Sequence, residues 1–245
     1  MIAPHRHIRR PIISARVLVG HRRSAGSDFA LARILAFIAG AANAGGFFAL
    51  GQYTSHMTGY LSQVADSLIG GRVVVLGSAL LAISSFVAGA ALSSLLINWA
   101  RSRKFRELYA IPLALQGFLL ACFSTGGILS GPVGHLFALA CLCFIMGMQN
   151  ATITKISYAR VRTTHATGMV TDIGIECGRA LCGAVFPGSG VSADRAKLRI
   201  LLTLVGTFVL GGIVGAAGYA ALGFLFSLPL AAVLLGLSVP SLLRA

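Results

Sequence analysis

Four windows of this chain contain no Asp, Glu, Lys or Arg: residues 34–65, 73–100, 108–154 and 200–243, which hold 32, 28, 47 and 44 residues. A helix rises about 1.5 Å per residue, and about 20 apolar residues cross a hydrocarbon core of roughly 30 Å. The first two windows therefore fit one crossing each and the last two fit two each, which predicts six transmembrane helices. The same pattern excludes a soluble domain, because 11% of the 245 residues are charged where soluble domains carry about 25%.

The charge that remains sits at the window ends. Twenty Lys and Arg against six Asp and Glu give a net charge of +14, which would suit a nucleic-acid partner if it covered a surface. Instead, Arg6, Arg9, Arg10, Arg16, Arg22, Arg23 and Arg33 lead into the first window, and Arg101, Arg103, Lys104 and Arg106 fill the gap between the second and third. They read as positive-inside signals, not as a nucleic-acid surface. Six crossings return Lys155, Arg160, Arg162, Arg195, Lys197, Arg199 and Arg244 to the same side, leave Arg72 as the exception, and place both termini in the cytoplasm. Residues 1–30 read as a basic cytoplasmic tail, since Arg16 interrupts the apolar core that a cleavable signal needs. The five cysteines are odd in number, lie mostly in apolar segments and form no Cys-x-x-Cys, so they read as small packing residues.

Apolar helices are expected at about 32–51, 74–98, 108–128, 134–151, 199–220 and 224–242. Residues 52–71 and 152–187 are polar by comparison and cannot face lipid. They are expected to be broken, re-entrant or interfacial.

Sliding the sequence against itself uncovers a repeat. At a shift of 107, residues 37–44 (FIAGAANA) meet 144–151 (FIMGMQNA), with five of eight positions identical. At a shift of 109, Thr54-Ser55-His56-Met57-Thr58-Gly59 meets Thr163-Thr164-His165-Ala166-Thr167-Gly168. Asp66 and Asp172 occupy comparable later positions at a looser spacing of 106. Each match is followed by a polar segment and two helices, so the chain reads as two three-helix units, 31–130 and 131–245, in one membrane domain. An odd number of crossings per unit inverts the second relative to the first, the arrangement of many secondary transporters.

The repeated polar residues are the candidate site. Asn43, Gln149 and Asn150 carry amides suited to a solute or an unwound backbone, although such groups also tie helices together. Thr58-Gly59 and Thr167-Gly168 read as helix breaks whose carbonyls and N–H groups are free to bind a ligand, or else as simple turns. Imidazole can donate, accept or relay a proton, so His56 and His165, with Asp66 and Asp172, are candidates for proton coupling. The bland alternative for Asp66, Asp172 and Glu176 is pairing with Arg72, Arg160, Arg162 or Arg179. Small residues four apart, as at Gly40-Ala44 and Gly211-Gly215, read as close helix packing. Metal and hydrolase signatures are weak or absent, and no cofactor or nucleic-acid partner is expected.

At Gly40-Ala41-Ala42-Asn43-Ala44, Ser55-His56-Met57-Thr58-Gly59, Gln149-Asn150-Ala151 and the run from Arg160 to Gly168, the chain resembles the YoaK-like family of bacterial inner-membrane proteins, over about residues 30–242. The resemblance implies a six-helix protein of the bacterial inner membrane and supplies no catalytic residues. Similar members often have an acid where Asn43 stands and an Asn where Tyr60 stands. A proton step that used that acid would fall here to Asp66 or His56, or be lacking.

The expectation is thus an all-α integral membrane protein of six transmembrane helices in two inverted repeats. Its expected role is secondary transport of a small solute bound near the midplane between them. Its partners would be the bilayer and the solute, with self-association left open. A passive channel, a lipid-modifying membrane enzyme that uses the His and Asp residues, and a non-catalytic assembly protein are the rival readings.

Overall fold

The computed structural model describes residues 25–105, 107–125, 131–156 and 166–243, and every regular element among them is helical. The first half comprises α1 (Ala25–Leu50), α2 (Met57–Ile69), α3 (Val73–Ser102) and α4 (Ala110–Phe123). The second comprises α5 (Pro132–Ile156), α6 (Ala166–Val185), α7 (Arg195–Leu222) and α8 (Ser227–Leu242), with 3-10 turns at Pro187–Ser189 and Gly223–Phe226. The six expected apolar helices correspond to α1, α3, α4, α5, α7 and α8. In addition, the two polar segments contain helices of their own, α2 and α6.

Local chemistry sets the ends. Among the described residues α1 reaches about two turns further back than its apolar pattern suggested, with Asp28 in the first turn, where a carboxylate favours the positive end of the helix dipole. α5 opens on Pro132, whose missing N–H costs nothing at that position. Asp194 caps α7, its Oδ1 accepting from the N–H groups of Ala196 (3.0 Å) and Lys197 (2.9 Å). α3 closes in a Schellman motif: Phe105 N–H donates to Ala100 O at 2.9 Å and Lys104 N–H to Arg101 O at 3.0 Å. The ring of Phe105 meets Trp99 edge-on at 5.4 Å, and Lys104 takes the left-handed conformation (φ 57°) usually given to glycine.

Four stretches are long and apolar enough to cross a membrane: Gly26–Leu50, Val73–Ser102, Pro132–Lys155 and Arg195–Leu242. The last contains both α7 and α8. α4, at 14 residues or about 21 Å, is shorter than the hydrocarbon core. α1 and α5 are the buried central helices, while α3 and the α7–α8 stretch are largely exposed. Many exposed side chains of α3 and α7 are apolar, among them Leu80, Val87, Leu95, Val209, Leu210 and Ile213, as contact with lipid favours.

The helices are exchanged between the halves. α1 packs chiefly along α7, α3 chiefly along α5, and α4 against α8. One motif makes both long contacts, Phe-x-x-Gly, present at 37–40, 86–89, 144–147 and 208–211. A Cβ at Gly40 would strike the Phe208 carbonyl and one at Gly211 the Phe37 carbonyl; likewise Gly89 faces the Phe144 carbonyl and Gly147 the Phe86 carbonyl. All four approaches are under 3.0 Å, so glycine is required by contact with backbone. Such small-residue seams are how helices gain packing energy where lipid already solvates apolar side chains.

The correspondence extends beyond the motif. Buried Ala79, Ala82, Gly89, Ser93 and Ile97 of α3 each have a buried partner 122 positions later in α7: Leu201, Leu204, Gly211, Gly215 and Tyr219. One core cluster joins Tyr60, Ala79, Ala82, Leu139 and Cys143. A second joins Met169, Leu201, Leu204, Ala32 and Ala36, the matched positions in the other half. Side-chain size trades across the match, with the large Tyr60 beside two alanines and the smaller Met169 beside two leucines, so each cluster keeps its volume.

Two polar ties hold the centre. Ser93 and Thr152 share a hydrogen bond of 2.8 Å, and Gln116 Nε2 donates to Thr152 Oγ1 at 3.3 Å, joining α3, α4 and α5. Gln149 Nε2 donates to the Leu35 carbonyl, joining α5 to α1.

Candidate functional site

The α1–α2 corner is built by a short, doubly pinned loop. Gly51, at φ 67°, turns the chain out of α1 in a conformation that side chains resist. Asn43, a little under two turns back in α1, holds the loop from one side: its Oδ1 accepts both the Ser55 N–H (3.2 Å) and the Ser55 hydroxyl (3.0 Å). The Cys143 thiol of α5 holds it from the other, donating to the Thr54 carbonyl at 3.4 Å. The corner of the first half therefore rests on a helix of the second. His56 takes the N-cap position of α2 without making a side-chain capping bond, and its ring lies across Gly59, where a Cβ would strike Cδ2. Gly59 is thus a regular helical residue kept small for the imidazole.

The chain does break within the first polar segment, at residues 51–56 between α1 and α2, but not at the Thr-Gly pairs. α2 and α6 run through Thr58-Gly59 and Thr167-Gly168. The Thr carbonyls expected to be free for a ligand are taken inside the helices, by Ser62 Oγ (3.1 Å to Thr58 O) and Thr171 Oγ1 (2.9 Å to Thr167 O). Both Thr side chains are exposed.

Above the pinned loop lies a cleft of about 200 Å³ lined by Gly51, Gln52, Tyr53, His56, Gly59, Tyr60 and Gln63. Buried polar atoms collect around it. Gln52 Oε1, Thr54 Oγ1, Gln63 Oε1 and Ser67 Oγ have no hydrogen-bond partner, and the Tyr60 hydroxyl lies beside the Cys143 thiol without a bond of good geometry. An unmet buried polar group costs about 1–3 kcal/mol, and these atoms lie buried beneath the cleft, not open to it. Tyr53 stacks on Phe47, centroids 5.0 Å apart. Sequence reasoning found His56 and Gly59 but missed Gln52, Tyr53, Thr54, Tyr60, Gln63 and Ser67. A signal for three of them was present: Tyr60, Gln63 and Ser67 fall on one face of a helix drawn through this segment.

The matching corner of the second half is different in chemistry. There Glu176, buried, accepts the Asp194 N–H on Oε2 at 2.9 Å. Its Oε1 lies 3.6 Å from Arg179 and 3.5 Å from Lys197, and Lys197 also reaches Asp172 Oδ2 at 3.6 Å. The Asp194 N–H, aided by Arg179 and Lys197 against the effect of burial, holds the Glu176 carboxyl below its ordinary value. Asp172 is therefore an ion-pair partner of Lys197 in a network that fixes α6 to the start of α7. Its correspondence with Asp66 does not hold. In the register that matches buried Tyr60 to Met169 and Ser67 to Glu176, Asp172 matches Gln63. Asp66 is exposed on α2 and does not line the cleft.

Of the remaining expected residues, Gln149 is buried in the tie to α1. Asn150 is half-buried on α5, its carbonyl accepting from Thr154 Oγ1 at 2.8 Å. His165, like Arg160 and Arg162, lies outside the described residues. His56 and Gly59 come together in the cleft and Asn43 supports it through Ser55, whereas Thr167, Gly168 and Asp172 belong to the other corner. Among the described residues, no group of three His, Cys, Asp or Glu is placed to hold a metal ion.

A family model with the description "Protein of unknown function (DUF1275)" matches residues 31–239. No curated protein and no solved structure matches the chain.

Proposed function

The chain belongs to the DUF1275 family, and from that premise we propose that it is a multi-pass secondary transporter of a small solute, built as two inverted halves that move against each other. The observation that carries this reading is the residue-by-residue match of the two corner clusters, Tyr60 with Met169, Ala79 with Leu201, Ala82 with Leu204, Leu139 with Ala32 and Cys143 with Ala36. Equivalent surroundings built from unlike residues are what a duplicated unit produces. If α4 and α8 also cross, each half crosses three times and the second is inverted.

On this reading the YoaK-like resemblance gives the location, the bacterial inner membrane. The basic residues at 101, 103, 104, 195, 197 and 199 keep those ends and both termini in the cytoplasm. The α1–α2 corner then opens outward and the α6–α7 corner inward. Rocking about the exchanged pairs would alternate access, with solute held at the α1–α2 cleft, and His56 is the titratable group beside it. Asn43 is a support for the loop in this scheme, and an acid at that position would serve equally, since both bonds end on Oδ1.

The test is uptake by proteoliposomes with an imposed proton gradient, against a panel of radiolabelled solutes. Accumulation above the outside concentration is expected. Uptake that only equilibrates would make the protein a passive channel, and folded protein that moves none of the panel would overturn transport.

A further inference from the structure

The end of α3 carries residues that neither the packing of the bundle nor transport of a solute requires, and we infer that it is a docking site for the headgroup of an anionic phospholipid. The inference needs only that α3 crosses the bilayer, and it is independent of whether the chain moves a solute.

Charge is the first argument. Arg101, Arg103 and Lys104 are all exposed within one turn at the end of α3. Among the described residues none of them is ion-paired, and the nearest acid in sequence, Glu107, is buried. The last carbonyls of the helix are already engaged: Trp99 O accepts the Arg103 N–H (3.0 Å) and the Ser102 hydroxyl (2.8 Å), Ala100 O the Phe105 N–H and Arg101 O the Lys104 N–H. The corner therefore presents cations with no local partner, the complement of a phosphodiester.

Depth is the second. Trp99, the one tryptophan of the chain, and Phe105 are both exposed and meet edge-on at 5.4 Å. Tryptophan favours the headgroup boundary of a bilayer, which sets the neighbouring cations at the level of the phosphates. Val87, Ala91 and Leu95 continue the same exposed stripe at four-residue spacing. From Val87 to Trp99 the helix rises about 18 Å, against about 15 Å for half of a hydrocarbon core. One face of α3 thus runs beside an acyl chain for the depth of a leaflet and ends at the cations.

Backbone strain is the third. Among the described residues Lys104 is the only residue other than glycine at positive φ, the other such positions being Gly51, Gly71, Gly131, Gly190 and Gly223. Glycine closes a Schellman motif at lower cost. A positive-inside signal needs charge near the helix end, not a lysine at this one residue. A strained side chain kept where glycine would serve points to a use for that side chain.

The experiment takes Trp99 as its reporter. The full chain is reconstituted in phosphatidylcholine vesicles that contain a minor fraction of either phosphatidylglycerol or phosphatidylcholine with brominated acyl chains, which quench tryptophan on contact. Both leaflets carry the probe, so the orientation of the protein does not enter. Brominated phosphatidylglycerol is expected to quench Trp99 more strongly than brominated phosphatidylcholine at equal fraction. A cation near the surface is worth about fivefold in affinity, so the preference should fall about fivefold in Lys104→Gly, a variant whose backbone suits the turn, and persist in Lys104→Arg. Arg195→Gln, which removes an exposed cation at the start of α7, should leave it unchanged. Equal quenching of wild type by the two lipids overturns the site. A preference kept in Lys104→Gly, or lost equally in Arg195→Gln, overturns this corner as its seat. Reversal of the quenching by inorganic phosphate at constant ionic strength overturns the lipid in favour of a free anion.

Discussion

Alanine at Gly40 or Gly147 tests the exchanged architecture at its tightest points. The new Cβ would lie under 3.0 Å from the Phe208 or Phe86 carbonyl, where ordinary contact is 3.4–4 Å. The obstacle is backbone, so no rotamer change relieves it, and the seam must open by at least several tenths of an ångström. A gap of 0.5–1 Å forfeits a quarter to a half of the dispersion energy of the facing atoms, and overpacking costs typically 1–3 kcal/mol. With backbone on both sides, we expect the upper end, about 3 kcal/mol. At roughly 2–4 °C per kcal/mol for a chain of this size, thermal melts in detergent should fall by about 6–12 °C. Gly236→Ala in α8 is the control: nothing lies within 4 Å of its Cβ, so the better helix propensity of alanine should hold or raise the melting temperature. The two seams being equivalent, Gly40→Ala and Gly147→Ala should lose alike, and their effects should add because they lie in different interfaces. Either variant melting with the Gly236→Ala control would refute the seam, and a large loss in one alone would refute the equivalence.

Three further outcomes follow from other contacts. Asn43→Ala removes both bonds to Ser55 and should cost about 1–2 kcal/mol and expose residues 51–56 to protease, whereas Asn43→Asp keeps both acceptors and should behave as wild type; equal behaviour of the two variants would contradict the pinned loop. Glu176→Gln should melt below wild type at neutral pH and converge with it in acid: the folded carboxyl titrates below its ordinary value of 4.5, so its stabilisation is present above that value and lost as pH falls through the folded one, and a difference independent of pH would refute the role given to its ionised form. Lys104→Gly should raise stability by about 1 kcal/mol, by relieving a left-handed lysine at the end of α3, and a fall in melting temperature would show that the lysine side chain matters more to the fold than its backbone strain.

What could be read from sequence was whatever residue identity preserved. The FIAGAANA and FIMGMQNA runs located α1 and α5 as counterparts, and the charge-free windows located every apolar helix, with ends off by up to about two turns at the start of α1. The α3–α7 match escaped because Ala79 faces Leu201 in the alignment and Ile97 faces Tyr219, leaving little but Phe-x-x-Gly in common. Asp66 and Asp172 misled because charged residues are conspicuous, while what the fold preserved at those turns was burial, Ser67 answering to Glu176. α2 was overlooked because a helix whose inward face is Tyr60, Val64 and Ser67 lacks the apolar stripe by which helices are recognised. The cleft was invisible for a different reason: it depends on Cys143, 89 positions from the Thr54 carbonyl it binds, and no local pattern announces such a contact.

The exchange of helices also sets the order in which the protein can be made. α1 leaves the ribosome long before its main partner α7, since about 170 residues separate Leu50 from Leu222. At synthesis rates of about 5–20 residues per second, α1 waits roughly 10–35 s with its glycine seam uncovered, and α3 waits, more briefly, for α5. The first half must therefore insert without its final packing, and the native bundle closes only during the last third of synthesis. The same logic lets two separately made polypeptides, divided just before Pro132, find each other in the bilayer and complete one another's seams.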